Sequence, residues 1–323
     1  MKNNTPKVSV MIVTYNQENL ISETIDSVLS QDYPNLEIIV SDDCSTDSTK
    51  LILLNYQKRY PHIIYPIFNS YNLGITGNCN KALNACKGEF ISILGGDDLF
   101  LPGKIVNQVK LFVKDPALVL SYHAVEVFWH STGDTIFITN QKKKEEIHDF
   151  YDIIRKGGIP GASSVMIRRT ACPIEGFNKN LPTVSDWLFY IEVAMVGKVK
   201  ELKGVYGKYR KHGTGASDRS FELLDETLLT LDHVLKKRPD DKKLVKICSK
   251  GAFRYIMGEI YRQFILGDTK RLLYLKQKAM VYTDSLFQRY LIYLVLMCTK
   301  NKIIYSITRI ILIRLKNTIK RYV

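Results

Sequence analysis

The sequence predicts an α/β fold: a mostly parallel sheet covered by helices, followed by an all-helical C-terminal extension. Short apolar runs alternate with amphipathic segments over residues 1–115, an order typical of parallel strands joined by crossover helices. After residue 220 only helical patterns remain. With 323 residues, of which 46% are hydrophobic, the chain is long enough for one large domain or two smaller ones.

Four strand–helix pairs are predicted over residues 1–115. The strands are continuous apolar runs, and they cover Val8–Val13, Leu36–Val40, Ile63–Phe68 and Phe90–Leu94. Each strand is followed by a segment with helical periodicity or a helix-start signal, and these segments cover Glu18–Ser30, Asp47–Arg59, Ile75–Cys86 and Pro102–Lys114.

The pattern changes after residue 117. Two short runs around a Ser-Thr-Gly-Asp turn predict a hairpin, Val125–Phe128 with Thr135–Thr139. Two more strands and a helix are predicted before residue 220, at Ser163–Ile167, Val199–Tyr206 and Asp186–Val196. Helices are then predicted at Phe221–Lys237, Asp241–Leu266 and Lys270–Tyr282, with two basic and apolar segments to the end. We therefore predict one domain over 1–220 and a helical region over 221–323.

The net charge of +14 is unevenly distributed. Residues 1–220 contain 25 Lys and Arg against 23 Asp and Glu, which leaves +2, whereas residues 221–323 contain 21 against 9, which leaves +12. A strongly basic region indicates an anionic partner, either nucleic acid or an acidic membrane surface.

An acid-free end favours the membrane. From Ser285 onward there are eight Lys and Arg and no acid, and the apolar run Leu286–Cys298 is too short to span a bilayer. Lys302, Arg309, Lys316 and Lys320 fall on one helical face, as in helices that lie on anionic bilayers. We expect peripheral attachment to the inner face of the cell membrane and no nucleic acid partner. A dimerisation helix and a tail packed on the catalytic domain are the alternatives.

Cysteine usage indicates a reducing compartment. Six cysteines form no C-x-x-C pair and no secretory signal is recognisable at the N-terminus, so we expect reduced thiols in a cytoplasmic protein.

Polar residues follow every predicted strand. They are the runs Thr14–Asn16, Ser41–Asp47, Asn72–Gly74 and Gly96–Asp98. Ligands of open α/β sheets bind outside the carboxyl ends of the strands, so these runs predict a pocket of nucleotide size. The chain has no G-x-G-x-x-G after the first strand and no phosphate-binding G-x-x-x-x-G-K-[ST] motif, so we expect a metal ion at the phosphates.

The run Gly95–Asp98 is the strongest candidate for that metal. Two adjacent acids on a tight glycine turn are costly unless a cation offsets them. Mg²⁺ and Mn²⁺ prefer carboxylate oxygens and take phosphates as further ligands, and Asp97 is the expected ligand. An ordinary Gly-Asp turn is the alternative.

Four of these segments, in order, resemble the signatures of family 2 glycosyltransferases. They are Val8–Asn16, Ile39–Asp47, Asn72–Asn80 and Gly96–Pro102, within a resemblance that covers roughly residues 6–215. The resemblance implies the GT-A nucleotide-sugar transferase fold, with a Rossmann-like sheet. It assigns a nucleotide-binding half to about 1–115 and an acceptor half to about 116–220.

The resemblance also implies roles for single residues. Tyr15 would stack on the base and Asp42 would bond its edge. Gly95 stands where the family's D-x-D signature has its first acid. The expected metal ligands of the Mn²⁺ or Mg²⁺ ion are Asp97, Asp98 and His212. The full set expected to bind the nucleotide sugar is Thr14, Tyr15, Asn16, Asp42, Asp43, Asn72, Gly74, Asn80, Gly96, Asp97, Arg210 and His212.

Two later segments extend the resemblance. Val184–Leu188 is similar to the family's acidic motif, which makes Asp186 the expected catalytic base; a helix N-cap is the alternative. Tyr209–Gly213 resembles the Y-R-x-H-G segment, which would place Arg210 and His212 near the diphosphate and metal. A solvated basic loop is the alternative there.

The expected function is inverting, metal-dependent transfer of a sugar. The donor would be a nucleotide-diphosphate sugar, with UDP preferred, and the acceptor a glycan or polyprenyl-linked oligosaccharide of a bacterial surface polysaccharide. A sugar nucleotidyltransferase would need a Gly-rich, Arg-containing loop after the first strand, where Thr14–Asn19 stands. A non-catalytic basic protein that binds membrane or nucleic acid is the other alternative.

Overall fold

The computed structural model describes residues 5–140, 146–213, 221–282, 285–298 and 305–310. The chain divides into two compact units, Met1–Asp218 and Arg219–Val323. The donor, acceptor and membrane roles expected of these parts of the chain stay predictions.

The first unit alternates strands and helices as predicted. Its nine strands, among the described residues, are β1 Val8–Thr14, β2 Leu36–Asp42, β3 Ile64–Phe68, β4 Phe90–Gly95, β5 Leu99–Phe100, β6 Leu118–Trp129, β7 Thr135–Ile138, β8 Met166–Arg168 and β9 Lys198–Lys211. Its helices are α1 Ile21–Leu29, α2 Thr49–Arg59, α3 Gly74–Ala85, α4 Lys104–Lys114, α5 Phe150–Lys156 and α6 Ser185–Ala194.

All nine strands belong to one sheet, in the order β3-β2-β1-β4-β8-β6-β9-β5, with β7 paired to β6. The first four strands in this order are mutually parallel, which confirms the predicted α/β class. Beyond β4 the sheet is mixed, because β8 pairs antiparallel with β4 and β6, whereas β6 and β9 run parallel.

The core lies between the parallel strands and the helices on one face. Alternate residues of β1 and β2 are fully buried against α1 and α4. Parallel strands that helices cover on both faces carry few polar residues. This is why β1, β2 and β4 appear in the sequence as continuous apolar runs. The core members shared by these elements include Val8, Val10, Ile12, Ile38, Val40, Ile21, Ile25, Ile105 and Val109.

The second half of this unit differs from prediction in its details. The hairpin is confirmed as β6 and β7, but β6 begins at Leu118 and β9 continues to Lys211. The two long strands pair along most of their lengths. Tyr209–Lys211 therefore lies in a strand, so the solvated-loop alternative is wrong for these residues. Strand β8 begins only at Met166 because residues 162–164 form a 3₁₀ turn.

The second unit is helical, as predicted. It contains α7 Leu224–Lys237, α8 Lys242–Leu266, α9 Thr269–Tyr282 and α10 Leu286–Cys298. Residues 305–310 are also helical, and the Tyr305 hydroxyl donates to the Phe264 carbonyl at 2.6 Å. The expected basic face at Lys302, Lys316 and Lys320 lies outside the described residues. In the described part of the chain, no helix combines the length and apolar character needed to cross a bilayer.

At the amino-terminal ends of the parallel strands, opposite the carboxyl edge of the sheet, a buried carboxylate joins neighbouring segments of the chain. Glu37 on β2 is 2% exposed and accepts hydrogen bonds from the Ser9 hydroxyl at 2.5 Å and the Lys87 N–H at 2.7 Å. Lys7 forms an ion pair with the same carboxylate. Burial alone would raise the pKa of Glu37, but Lys7, Ser9 and Lys87 together lower it below its usual value.

We expect Glu37→Gln to lower the free energy of unfolding by about 2 kcal/mol at neutral pH. The carboxylate accepts from Ser9 and Lys87 on one oxygen and pairs with Lys7 on the other, whereas the amide keeps one acceptor oxygen and turns its NH₂ group towards a donor. A carboxylate with a lowered folded-state pKa stabilises the fold above its unfolded pKa, and this stabilisation disappears as pH falls through the folded pKa. The difference between wild type and variant should therefore shrink in acid. Urea unfolding measured near pH 7 and near pH 3 checks this.

Glu89→Gln is the matched control. Glu89 pairs with Arg168 at 3.1 Å but is half exposed, so its change should stay within about 0.5 kcal/mol. An equal loss in both variants, or a loss for Glu37→Gln that does not depend on pH, would contradict the role given to Glu37.

Candidate functional site

The ends of three parallel strands meet at one edge of the sheet. Thr14 pairs with Asp42, and Val13 pairs with both Ser41 and Gly95. The backbone continues this alignment past the strands, because Asp43 N–H donates to the Thr14 carbonyl at 3.0 Å. The sequence-predicted polar runs are therefore adjacent in space.

The first two runs form one rim. The Asn16 side-chain oxygen accepts from the Thr46 N–H at 2.8 Å, and the Asn16 N–H donates to the Ser45 hydroxyl at 2.8 Å. Asn16 adopts a φ of 51°, which asparagine tolerates better than most residues. Tyr15, which precedes Asn16 in this rim, is 47% exposed, so its ring is accessible to a ligand.

Asp42 lies beneath that rim and is 1% exposed. One carboxylate oxygen accepts from the Ser45 hydroxyl and the other from the Ser45 N–H at 3.3 Å. Burial raises the pKa of Asp42, and the nearby Asp47 and Asp43 charges act in the same direction, against the Ser45 hydrogen bonds. The structure therefore places the Asp42 carboxylate below the surface, where Ser45 bonds both of its oxygens.

Asp43 positions the next loop. Its Oδ1 accepts from the Asn69 side chain at 2.9 Å and from the Leu73 N–H at 2.8 Å. Within that loop the Asn72 side chain accepts from the Gly74 N–H at 3.0 Å, and Gly74 opens α3 at a φ of 73°. Asp43 is buried, so it supports the position of Asn72 and Gly74 at the rim. Sequence reasoning missed Asn69, since nothing in its local pattern points to the site.

Asn80 lies away from the rim. Both its polar atoms bond the Phe177 backbone, the amide donating to the carbonyl at 2.8 Å and the oxygen accepting from the N–H at 2.8 Å. The structure therefore places Asn80 as a support for the loop before α6, rather than among the groups that face a ligand.

The turn after β4 requires its glycines. A Cβ on Gly96 would lie 2.2 Å from the Gln17 side-chain oxygen and 2.9 Å from the Thr14 Cβ. A Cβ on Gly95 would lie 2.8 Å from Asp97 Oδ1, so an acid at position 95 would crowd Asp97 in this conformation. The Thr24 hydroxyl bonds the carbonyls of Gly96 and Asp98 at 3.0 and 2.9 Å, which fixes the turn from below.

The two acids of the turn face different surroundings. Asp97 is about a quarter exposed, and its Oδ2 lies 3.0 Å from His212 Nε2. Asp98 is buried, and its Oδ1 accepts from the Arg210 N–H at 3.0 Å. Burial, and then the Asp97 charge, raise the pKa of Asp98 well above its usual value, although Arg210 opposes this. Thus Asp97 and His212 face the rim while Asp98 lies under it.

Arg210 is buried beneath the turn. Its Nε donates to the Asp97 carbonyl at 2.7 Å, and its terminal nitrogens lie 2.6 Å from Glu23 Oε2 and 3.1 Å from His130 Nδ1. The structure therefore places the Arg210 guanidinium inside the protein rather than at the surface expected for a diphosphate contact. Glu23 and His130, which hold it there, gave no signal in the sequence.

Asp97 and His212 fit a divalent metal ion. Their oxygen and nitrogen atoms lie side by side at the rim, and both are ligand types that such ions accept. Among the described residues there is no cluster of three His, Cys, Asp or Glu side chains suited to a metal. Since Mg²⁺ usually keeps waters and takes substrate phosphates beside one or two carboxylates, a sparse protein set suits an ion completed by a bound diphosphate.

Asp186 lies in the first turn of α6. The N-cap of this helix is Val184, and Asp186 Oδ1 accepts from the Trp187 N–H at 2.8 Å, so the N-cap alternative is wrong. The hydroxyls of Ser185 and Thr76 lie 2.7 Å apart, and Thr76 donates to the Leu181 carbonyl at 2.6 Å. These bonds attach the start of α6 to the start of α3, beside the rim residue Gly74.

Comparison with protein families agrees with this architecture. The family model for glycosyl transferase family 2 matches residues 9–171, which is half of the chain and includes the rim and the Gly95–Asp98 turn. The chain belongs to glycosyl transferase family 2, and its first unit contains that family's transferase domain.

Curated relatives cover parts of the chain. A Campylobacter jejuni protein named GalNAc(5)-diNAcBac-PP-undecaprenol beta-1,3-glucosyltransferase is 42% identical over 105 residues, which are 32% of this chain and 34% of that protein. An uncharacterised Mycobacterium tuberculosis protein is 28% identical over 211 residues, 64% of this chain. The chain spans 60% of the length of that relative.

Solved structures confirm the GT-A fold. Staphylococcus aureus TarS 1–349 in complex with UDP-GlcNAc superposes with a TM-score of 0.68 at 19% identity, covering 85% of this chain and 80% of TarS 1–349. The mannosyltransferase PcManGT from Pyrobaculum calidifontis, solved with GDP-Man and Mn²⁺, has a TM-score of 0.59 at 19% identity and covers 98% of this chain and 88% of that protein. At such identities the likeness concerns the fold alone.

Proposed function

We propose that this chain is an inverting, metal-dependent glycosyltransferase that uses a nucleotide-diphosphate sugar, with a UDP-sugar as the donor. The observation that carries the proposal is the Asp97–His212 pair at 3.0 Å on the carboxyl edge of the sheet, beside the rim that contains Tyr15 and Asp42. Family membership and the two nucleotide-sugar complexes of similar fold support it.

The rim would bind the base of the donor, and the Gly95–Asp98 turn would bind its diphosphate. Tyr15 offers an exposed ring for the base, and Asp42 offers carboxylate oxygens below it. Asp97 and His212 would hold a Mn²⁺ or Mg²⁺ ion against the diphosphate. When bound, such an ion supplies Lewis-acid stabilisation of the leaving group. Asp98 and Arg210 hold the Asp97 backbone in place from below.

Asp186 is the proposed general base. A carboxylate beside the rim can take the proton of an acceptor hydroxyl while the oxygen attacks the anomeric carbon. One displacement on the face opposite the leaving diphosphate inverts the configuration of that carbon. The start of α6 is attached to the first turn of α3, close to Gly74, so Asp186 would lie near the edge of the sheet that is proposed to bind the donor.

We expect Asp97→Ala to abolish Mn²⁺-dependent nucleotide binding and to leave the fold intact, because the side chain lies at the rim and contacts His212. Calorimetry with UDP, with and without Mn²⁺, measures this. Asp32→Ala is the control, since Asp32 is exposed in the loop before β2, away from the carboxyl edge. Unchanged metal dependence in Asp97→Ala would remove Asp97 from the metal site.

We expect Asp186→Asn to keep UDP and Mn²⁺ binding and to lower kcat by about 10²–10⁴-fold, which is the usual contribution of a general base. UDP release from UDP-sugars, supplied with lipid-linked oligosaccharides extracted from bacterial membranes, is the assay. Glu192→Gln on the same helix should retain activity. Turnover of Asp186→Asn within about threefold of wild type would assign the base elsewhere.

The acceptor that we propose is a glycan or polyprenyl-linked oligosaccharide used in cell-surface polysaccharide synthesis. The Campylobacter relative, which matches a third of this chain, is named as a glucosyltransferase acting on an undecaprenol-linked glycan.

We propose that the second unit attaches the enzyme to the cytoplasmic face of the membrane. One face of α10 is apolar and exposed: Leu286 83%, Tyr290 61%, Tyr293 51% and Met297 40%, at the i, i+4, i+7, i+11 spacing of one helical stripe. Ile292, away from this stripe, is buried. An exposed apolar and aromatic stripe in a region of charge +12 suits an anionic bilayer interface.

We expect full-length protein to co-sediment with phosphatidylglycerol vesicles, less strongly at high salt, and poorly with phosphatidylcholine vesicles. Tyr290→Ser combined with Tyr293→Ser should weaken binding at least about tenfold, whereas Leu229→Ser, at an exposed position of α7, should not. Failure of wild type to bind the anionic vesicles would leave a dimerisation helix as the better reading of the stripe.

A further inference from the structure

The end of the β6–β7 hairpin carries large exposed aromatic side chains. Trp129 is 48% exposed and Phe137 54%. Phe137 pairs with Val127 and Trp129 pairs with Lys211 of β9. Paired residues lie on the same side of a sheet, and so do residues two apart on a strand. Trp129, Phe137 and Tyr209 therefore lie on one face, which we call the aromatic face.

Side-chain contacts agree with this alternation. On the opposite face, the charged groups of Lys208 and Arg210 lie 5.0 and 4.8 Å from the Phe128 ring. On the aromatic face, Lys211 Nζ lies 5.3 Å from the Tyr209 ring. Arg210, which lies under the Gly95–Asp98 turn, is therefore on the face of the sheet opposite the aromatic face.

Residues 158–161 link the aromatic face to the start of α6. A Cβ on Gly161 would lie 3.8 Å from the Tyr209 ring, and a Cβ on Gly158 would lie 3.9 Å from the Trp187 ring. Trp187 follows Asp186 directly in α6. The short segment from Gly158 to Gly161 thus connects the aromatic face with the start of α6.

The end of the aromatic face lies close to the Gly95–Asp98 turn. Trp129 pairs with Lys211, and His130 donates its N–H to the Lys211 carbonyl at 2.9 Å. His212, the residue that follows β9, lies 3.0 Å from Asp97 Oδ2. The end of β9 therefore places Trp129 near the proposed metal ligands.

We propose that the aromatic face binds the glycan part of the acceptor, with sugar rings stacked on Trp129 and Phe137. This inference rests on the proposed function. An acceptor whose hydroxyl reaches Asp186 must continue along a nearby surface, and the aromatic face is linked to the start of α6 through residues 158–161 and ends near His212. The flat C–H face of a sugar ring packs against an aromatic ring while its hydroxyls stay in water, which suits rings that are only half exposed.

The polar tip of the hairpin favours a sugar over an apolar occupant. The exposed residues 130–134 are His, Ser, Thr, Gly and Asp, so the two rings are bordered by hydrogen-bonding groups. A lipid or a second copy of the chain would be expected to cover a wider apolar patch. These two occupants are the alternative outcomes of the test.

The experiment measures binding of the full chain, with UDP and Mn²⁺ present, to a printed array of hexose and N-acetylhexosamine oligosaccharides. Wild type should bind a subset of the array. Trp129→Ala and Phe137→Ala should each bind about tenfold more weakly, and Trp129→Phe should retain most of the binding because it keeps an aromatic ring. Ile136→Ala is the matched control, since Ile136 is an exposed neighbour of Phe137 on the same hairpin strand, is left unpaired by the register shift there and has no aromatic ring.

Several results would overturn the inference. These are no glycan binding by wild type, equal binding by Trp129→Ala and Ile136→Ala, or concentration-dependent self-association that Trp129→Ala abolishes. Binding that requires lipid-linked oligosaccharides and ignores the free sugars would assign the face to lipid. UDP calorimetry on the same variants separates this from the proposed function: lost UDP binding in wild type refutes the donor proposal, whereas intact UDP binding with unchanged glycan binding refutes the aromatic face alone.

Discussion

The candidate site depends on one buried arrangement, the contact of Arg210 with the turn that holds Asp97 and Asp98. Two adjacent carboxylates repel each other, and a buried one is costly unless a partner compensates it. Arg210 supplies its N–H to Asp98 and its guanidinium to the Asp97 carbonyl. Because Glu23 also pairs with the guanidinium, the cation is fixed, and Asp97 is left to face the rim beside His212.

The charged residues at the two ends of the parallel strands have different roles. At their amino ends Glu37 is satisfied by Ser9, Lys87 and Lys7, so its charge stabilises the fold. At their carboxyl ends Asp42 is buried with a raised pKa. Because these strands pair in parallel, the polar loops that follow them lie at the same end of the sheet. The apolar core between the two ends stabilises that pairing.

Sequence reasoning predicted the parts of this protein that local pattern determines. The first four strands, their crossover helices and the polar loop after each strand follow from apolar runs and turn residues. It missed Asn69, Glu23 and His130, because each acts on a partner distant in the chain. It assigned Arg210 to the ligand and Asn80 to the rim from motif position alone, and only the tertiary contacts reveal that both lie behind the surface.

Strand β9 contributes side chains to both faces of the sheet. Its alternation puts Lys208 and Arg210 on the side of the Phe128 ring and Tyr209 on the other, towards Gly161. His212, just past the strand, reaches Asp97. On the function proposed above, residues 208–212 would contribute both to the Gly95–Asp98 turn and to the surface along which the acceptor approaches. A shift of β9 by one residue would exchange the two faces, so the regular pairing of residues 125–129 of β6 with residues 207–211 of β9 keeps these two sets of side chains on separate faces.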